Sequence, residues 1–223
     1  MKEKLLIVFL LVITLISISF FQQKNKKINY MVIGNRHEFV YNLKSLNYID
    51  LIKNDLEKRD ILNSYSKDFI YNDIRTKDLI NKIKFNEKKN NKTFQNSLNK
   101  SDILIINLGS DELDYQLYLY EKYKNDNIYN YLNKEYKDIN KLIKIIRKYT
   151  NAKIIFIGLY NHSKQNISYY KFINNKIKHN KNIIFIDMYD VINTENNKYY
   201  LDYTENMSIY RKIISEMSCK NII

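Results

Sequence analysis

The sequence predicts an α/β fold built around a central parallel sheet, and three observations lead to that prediction. Four apolar runs rich in isoleucine recur along the chain, as expected of strands that are buried on both faces. Helical spacings of apolar residues separate these runs, and the few glycines fall where the runs end. The predicted strands are YMVIG (30–34), DILIINLG (102–109), KIIFIGLY (153–160) and NIIFIDMY (182–189).

Three segments carry apolar residues at intervals of three and four, which is typical of helices that lay one apolar stripe against a sheet. We interpret these stripes as core. The segments KKNNK (88–92), KNDN (124–127) and NTENNK (193–198) are polar, and we predict loops there. The stripes consist of Leu46, Ile49, Ile52 and Leu56; of Ile139, Leu142, Ile143 and Ile146; and of Tyr210, Ile213, Ile214 and Met217.

The chain has only three glycines, Gly34, Gly109 and Gly158, and each lies at the carboxyl end of a predicted strand. Open α/β sheets bind their ligands at this edge. Tight turns after strands also favour glycine for backbone geometry alone. Both explanations predict backbone positions at this edge that tolerate no side chain.

The first 27 residues predict a membrane anchor. After MKEK comes LLIVFLLVITLISISFF, 17 residues without a charge, and then QQKNKK. Such a run can cross a bilayer with some accommodation. An uncleaved signal anchor is favoured over a cleaved signal peptide because no A-x-A-like cleavage site follows. We therefore predict an anchor at 1–27 and one extracytoplasmic domain at 28–223 on a single-pass cell-membrane protein.

The formal net charge is +13, carried by 32 lysines and 5 arginines. Dispersed lysines without an aromatic-interleaved arginine cluster indicate a solvated surface, which argues against specific nucleic-acid binding. An anionic envelope polymer or lipid is retained as a candidate partner, in addition to the membrane itself. The lone Cys219 excludes an intramolecular disulfide.

The order of five blocks resembles the SGNH (GDSL-type) hydrolases, particularly the membrane-anchored forms of low-GC Gram-positive bacteria. The resemblance spans about residues 29–217 and implies a three-layer, flavodoxin-like SGNH-hydrolase fold, preceded here by the predicted transmembrane helix. The blocks are VIGNRHEF, KDFIYNDIRTKDLINKI, SDILIINLGSDEL, AKIIFIGLYN and KYYLDYTENMSIYRKII.

The catalytic positions that the resemblance implies are almost all substituted. The family places its serine nucleophile in a G-D-S pattern, its oxyanion-hole donors in a second block and a G-x-N-D block, and its base in a late D-x-x-H. Gly34, Gly109 and Asp202 match that pattern. The substituted positions are Asn35 (aspartate in the family), Arg36 (the nucleophile), Asp73 (glycine), Asp111 (asparagine), Glu112 (aspartate) and Glu205 (histidine).

These substitutions remove the family's chemistry. Acyl transfer needs an activatable hydroxyl beside a base, which Arg36 with an ionised Glu205 cannot supply. The carboxylate of Asp111 only accepts hydrogen bonds, and losing one oxyanion donor costs about 3–4 kcal/mol in the transition state. We therefore predict a catalytically inactive binding or scaffolding module at the cell envelope, without a cofactor. The alternative is an active esterase or lipase on envelope or lipid acyl groups that uses non-standard residues.

Two other chemistries could use residues near this edge. Ser110 could act as a relocated nucleophile with His37 or His162, because all three follow predicted strands near one edge. His37, Asp111, Glu112, His162 and Glu205 could bind a divalent cation, although no ligand-spacing motif supports this. We predict no metal site, and we interpret Gly34, Asn35, Arg36, Gly109, Ser110, Asp111 and His162 as lining a ligand-binding cleft.

Arg36 also leads to a structural expectation. If the strand ends converge as the resemblance implies, its guanidinium should pair with Asp111 or Glu205, because the planar fork of arginine binds carboxylates bidentately. Such an ion pair would plug the former catalytic cleft. The alternative is an Arg36 side chain that points into solvent.

Overall fold

A computed structural model describes residues 27–36, 47–123, 128–161, 166–191, 203–220 and 222–223. Within these ranges, no helix combines the length and the hydropathy that crossing a bilayer requires. The predicted anchor at 1–27 lies outside them except for Lys27, and the predicted loops at 124–127 and 193–198 lie outside them as well.

Five parallel strands form the central sheet, in the spatial order β2-β1-β5-β6-β7. Counting only these five in chain order gives 2-1-3-4-5, the flavodoxin-like order that the resemblance implied. The sheet strands are β1 (Ile28–Asn35), β2 (Leu62–Tyr71), β5 (Ile103–Asn107), β6 (Lys153–Ile157) and β7 (Ile184–Ile186), and a separate antiparallel hairpin joins β3 (Lys88–Lys89) to β4 (Lys92–Thr93).

Helices cover both faces of the sheet and complete the predicted three layers. On one face the described helices are α1 (Tyr48–Lys58) and α7 (Tyr203–Cys219). On the other face they are α2 (Thr76–Lys84), α3 (Phe94–Lys100), α4 (Ser110–Tyr123), α5 (Ile128–Ile146) and α6 (Ile167–Ile177), and a short 3-10 helix, Met188–Asp190, follows β7.

Alternating residues of the strands supply the two halves of the core, because successive side chains of a strand point to opposite faces. Val32 and Ile105 pack on the α1/α7 side, whereas Ile33 and Ile106 pack on the other. All four are buried. The continuous apolar runs of the sequence therefore reflect strands covered on both sides.

The structure differs from the sequence analysis at two places. The predicted loop at 88–92 is a hairpin, in which Asn90 and Asn91 turn the chain with φ values of 47° and 61°. Asparagine tolerates these left-handed conformations, and two-residue turns of this kind match the twist of a hairpin. Strand β2 was not predicted because it mixes polar with apolar residues and buries only Phe69, so no apolar run marks it.

Candidate functional site

The carboxyl ends of β1, β5 and β6 meet at one edge of the sheet, and the candidate site is built there. Gly34 lies beside Asn107 in the register of β1 and β5. Its φ of +135° is unusual for any residue with a side chain, and a Cβ at this position would stand 1.9 Å from the carbonyl oxygen of Asn107. Only glycine allows these two strands to come this close at the edge.

A hydrogen bond joins the end of β1 to the first turn of α4. The buried Asn35 amide donates from Nδ2 to Oδ2 of Asp111 over 2.8 Å. In the resemblance, these two positions carry an aspartate and an asparagine respectively. The residue types are therefore exchanged here, and the acceptor lies at the position that the family uses as an oxyanion donor.

Ser110 connects α4 to the segment after β6. The side chain is buried, and Oγ accepts a hydrogen bond from the Tyr160 backbone N–H over 3.1 Å. Burial and this contact favour a structural role for the hydroxyl over that of a nucleophile. The two histidines proposed as its partners, His37 and His162, lie outside the described residues.

Asp114, one turn further along α4, also holds this helix in place, and the sequence analysis did not identify it. Its Oδ1 accepts hydrogen bonds from the Tyr170 hydroxyl at 2.5 Å and from Nδ2 of Asn161 at 3.0 Å. Burial raises the pKa of the Asp114 carboxyl, and the two hydrogen bonds oppose that rise. The Asn161 N–H in turn donates to the hydroxyl of Tyr189. Helix α4 is thus held to α6 and to the segments after β6 and β7.

Beneath the Gly109 turn lies a buried carboxyl group, Glu135 of α5. It accepts a hydrogen bond from the Thr76 hydroxyl at the start of α2. A Cβ at Gly109 would lie 3.7 Å from its Oε1. Burial raises the pKa of Glu135 to about 7; nearby Glu112 and Asp138 add to the rise, whereas the Thr76 hydrogen bond and Lys134 oppose it. The sequence analysis did not identify Glu135, although an acidic residue within the apolar stripe of α5 is uncommon and would have been the signal.

Arg36 is exposed. Among the residues that the structure describes, no ion pair within 4.0 Å joins it to Asp73 or Asp111. The predicted pair with Asp111 is thus not formed, because Asn35 rather than Arg36 reaches that carboxylate. Asp73 is exposed as well and has a φ of 50°.

The structure does not describe the side chains at the remaining predicted positions. Asp202 and His162 are not described, and nothing is described of the Glu205 side chain. The structure brings together Gly34, Asn35, Gly109, Ser110 and Asp111 at adjacent strand ends. No group of three or more side chains able to hold a metal ion occurs in the described ranges.

Comparison with known proteins agrees with this fold. No protein-family model matches the sequence, and no curated protein shows significant sequence similarity to it. Solved structures do match. The chain is similar to the lipase Lip_vut3 from a goat rumen metagenome, with 16% identity, a TM-score of 0.69, and coverage of 85% of this chain and 97% of that one.

Two further neighbours share the fold. A catalytic mutant of the acetylxylan esterase Axe2 from Geobacillus stearothermophilus matches with 13% identity and a TM-score of 0.63, over 86% of this chain and 95% of that one. TesA matches with 8% identity and a TM-score of 0.55, over 85% of this chain and 97% of that one. These neighbours are SGNH-type hydrolases. The likeness is one of fold, and it confirms the SGNH-like architecture that the sequence predicted.

The exchanged pair at positions 35 and 111 gives a testable prediction. Asn35→Asp alone should place two carboxylates within hydrogen-bonding distance and destabilise the domain by about 1–3 kcal/mol near neutral pH. The double variant Asn35→Asp/Asp111→Asn should recover most of that loss, because the hydrogen bond re-forms with donor and acceptor reversed. Urea unfolding of the full chain measures both values. A double variant no more stable than Asn35→Asp would refute the pairing.

Proposed function

We propose that this chain is an SGNH-like domain that binds ligands at the carboxyl edge of its sheet without hydrolysing them. The hydrogen bond from Asn35 to Asp111 carries the proposal. A carboxylate that accepts from an amide offers no donor to a developing oxyanion, and its charge repels one. The exposed cation of Arg36 at the family's nucleophile position gives further support, because a guanidinium is neither a nucleophile nor a base near neutral pH.

A binding role is supported by the surface that continues from this edge. The tyrosines Tyr115, Tyr118 and Tyr123 of α4 and Tyr129 of α5 are all more than half exposed. Tyrosine suits binding surfaces because its ring is apolar and its hydroxyl remains hydrated. The ammonium group of Lys122 lies 5.6 Å and 5.2 Å from the ring centres of Tyr118 and Tyr123. Helix α4 itself carries four acidic residues and one lysine, so attraction to an anionic envelope polymer or lipid is supported by the net charge of the whole chain and not by this surface.

The envelope location is part of the same proposal. The uncharged 17-residue run near the N-terminus supports a single membrane anchor. A net charge of +13 supports attraction to anionic material. The proposed arrangement is an anchored domain on the extracytoplasmic side.

An ester-hydrolysis assay tests the proposal. Purified full chain is mixed with p-nitrophenyl acetate or butyrate between about pH 6 and pH 9, where a catalytic base would titrate. We expect release of p-nitrophenol at the rate of the buffer blank, with no difference between the wild type and Ser110→Ala. Turnover above the blank that Ser110→Ala abolishes would instead establish the alternative, an active esterase with non-standard residues.

A further inference from the structure

Phe85 is the most exposed large apolar residue in the part of the chain that the structure describes. It is 83% exposed, whereas the four exposed tyrosines range from 52% to 61%. The hydroxyl of a tyrosine remains hydrated at a surface, but a phenylalanine ring has no polar group and presents only apolar carbon to water. A partner that offers this ring an apolar environment would therefore bind it favourably.

A hydrogen-bonded turn holds Phe85 in this position. Phe85 directly follows the last residue of α2, and Asn86 then turns the chain with a φ of 51°. The N–H groups of Asn86 and Glu87 donate to carbonyls in the last turn of α2 at 3.1 Å and 3.0 Å, which is a common way for a helix to end. The side chain of Gln95 on α3 also donates to the Ile83 carbonyl. The exposed ring is thus presented by a well-bonded turn and not by a fraying helix end.

The charges around this turn leave lysines without a carboxylate partner. The segment 82–89, KIKFNEKK, holds four lysines and one glutamate, Glu87, which pairs with Lys82 at 2.6 Å. Lys84 and Lys88 lie on either side of Phe85, and both are exposed. Within the described ranges, neither forms an ion pair. The nearby carboxylates of Asp68 and Asp78 are paired with Lys92 and Arg75. The turn therefore carries a net positive charge beside the exposed ring.

The proposed anchor would keep this turn near a bilayer. Between the uncharged run and the start of β1 lies the segment 22–27, which has six residues. Six residues span at most about 20 Å even when they are fully extended. A short tether of this kind gives the domain a high effective concentration at the membrane surface, so even a weak contact would be occupied.

A lipid surface fits both features of the turn. An aromatic ring flanked by lysines is typical of segments that lie in a membrane interface, where the ring reaches the boundary between head groups and acyl chains. The ammonium groups of lysines are attracted to anionic head groups, and their aliphatic stems can lie along apolar surface. An anionic wall polymer would attract the lysines as well, but it offers the Phe85 ring no apolar environment. The observations therefore favour a lipid surface over a polymer.

We propose that the turn at 82–89 docks onto an anionic lipid surface. The Phe85 ring inserts at the boundary between the head groups and the acyl chains, and Lys84 and Lys88 contact the head groups. This docking rests on the proposed envelope location and not on the absence of hydrolysis.

Tryptophan fluorescence tests the docking, because the chain contains no tryptophan and Phe85→Trp introduces a single reporter. The full chain is reconstituted with vesicles of phosphatidylcholine, either alone or mixed with phosphatidylglycerol. With phosphatidylglycerol, we expect the emission to move to shorter wavelength, to be quenched by brominated acyl chains, and to shift less as the salt concentration rises. The matched control Tyr115→Trp, an exposed ring on the acidic helix α4, should show no shift and no quenching.

Two pairs of lysine variants test the head-group contacts. In the Phe85→Trp background, Lys84→Gln with Lys88→Gln should remove most of the shift. Lys141→Gln with Lys144→Gln removes the same charge from exposed positions of α5 and should leave the shift unchanged. An unshifted emission of Phe85→Trp, an equal shift in Tyr115→Trp, or equal effects of the two lysine pairs would overturn the proposal. The same shift with polyphosphate in place of phosphatidylglycerol would overturn it in favour of an anionic polymer.

Flotation of the same vesicles separates the docking from the anchor. The full chain should float with pure phosphatidylcholine through its N-terminal run, whatever residue 85 contacts. A chain that floats with these vesicles but shows no emission shift with phosphatidylglycerol contradicts the docking alone. A chain that floats only when phosphatidylglycerol is present, and then shows the shift, supports the docking and contradicts the anchor.

Discussion

Replacing Gly34 with alanine is expected to destabilise the domain by about 3–5 kcal/mol, from backbone strain and overpacking together. The new Cβ would stand 1.9 Å from the carbonyl oxygen of Asn107, at a φ of +135°. That oxygen belongs to the main chain of the adjacent strand β5, so relief requires β1 and β5 to separate. A domain of this kind has about 5–15 kcal/mol of stability, so the loss is a large fraction of the total.

Gly109→Ala is the matched control for this prediction. Its φ of +107° is also strained, but the nearest atom to a new Cβ is Cδ2 of Leu159 at 3.3 Å, at the far end of a flexible side chain. A smaller loss of about 1–3 kcal/mol is expected there. Urea unfolding followed by circular dichroism measures both variants. Equal losses would contradict the close approach of β1 and β5 at the edge.

The contribution of the buried Glu135 carboxyl to folding stability is expected to fall as the pH rises from about 4.5 to about 7. Its pKa is raised by burial from 4.5 to about 7 in the folded chain. The folded state therefore keeps a proton that the unfolded state has released, and stability decreases with pH in that interval. The full stabilisation is present below pH 4.5, and the loss reaches about 3 kcal/mol once the pH passes 7.

Glu135→Gln should remove this dependence, because the amide oxygen still accepts from Thr76 and carries no charge. The variant should match the wild type near pH 4.5 and exceed its stability at pH 8. The other groups that face Glu135 are the same in both proteins: Glu112 of α4, and Tyr131, Lys134 and Asp138 of α5. Urea unfolding at several pH values gives the difference. Parallel pH curves for the two proteins would contradict the assignment.

Most of the sheet could be predicted because strands that are buried on both faces have a recognisable sequence pattern. Four of the five strands are covered by helices on both faces, so each appears as a continuous apolar run. Strand β2 mixes polar with apolar residues and buries only Phe69, so nothing in its pattern distinguishes it from a loop; its place at the edge is not the reason, because β7 forms the other edge. The order of the strands came from the family resemblance rather than from the apolar pattern.

The sequence predicted the location of the candidate site but not the hydrogen bonds within it. Gly34 and Gly109 lie at adjacent strand ends. Their location was predictable because glycine readily adopts the positive φ values that the chain has there. Of the two carboxylates expected to pair with Arg36, Asp111 instead accepts from the amide of the preceding residue, Asn35, and the pairing with Glu205 stays a prediction. The burial of Glu135 follows from the helical spacing that it shares with Ile139 and Leu142, but its partner Thr76 on α2 could not be predicted, because that contact joins distant parts of the chain.

Covalent labelling shows whether the domain holds an activated serine, which we propose it lacks. The full chain is treated with a fluorophosphonate probe near neutral pH, beside an active serine esterase that is labelled to completion, and its intact mass is measured. We expect an unshifted mass. One adduct per chain, whether at Ser110 or at another serine, would contradict it.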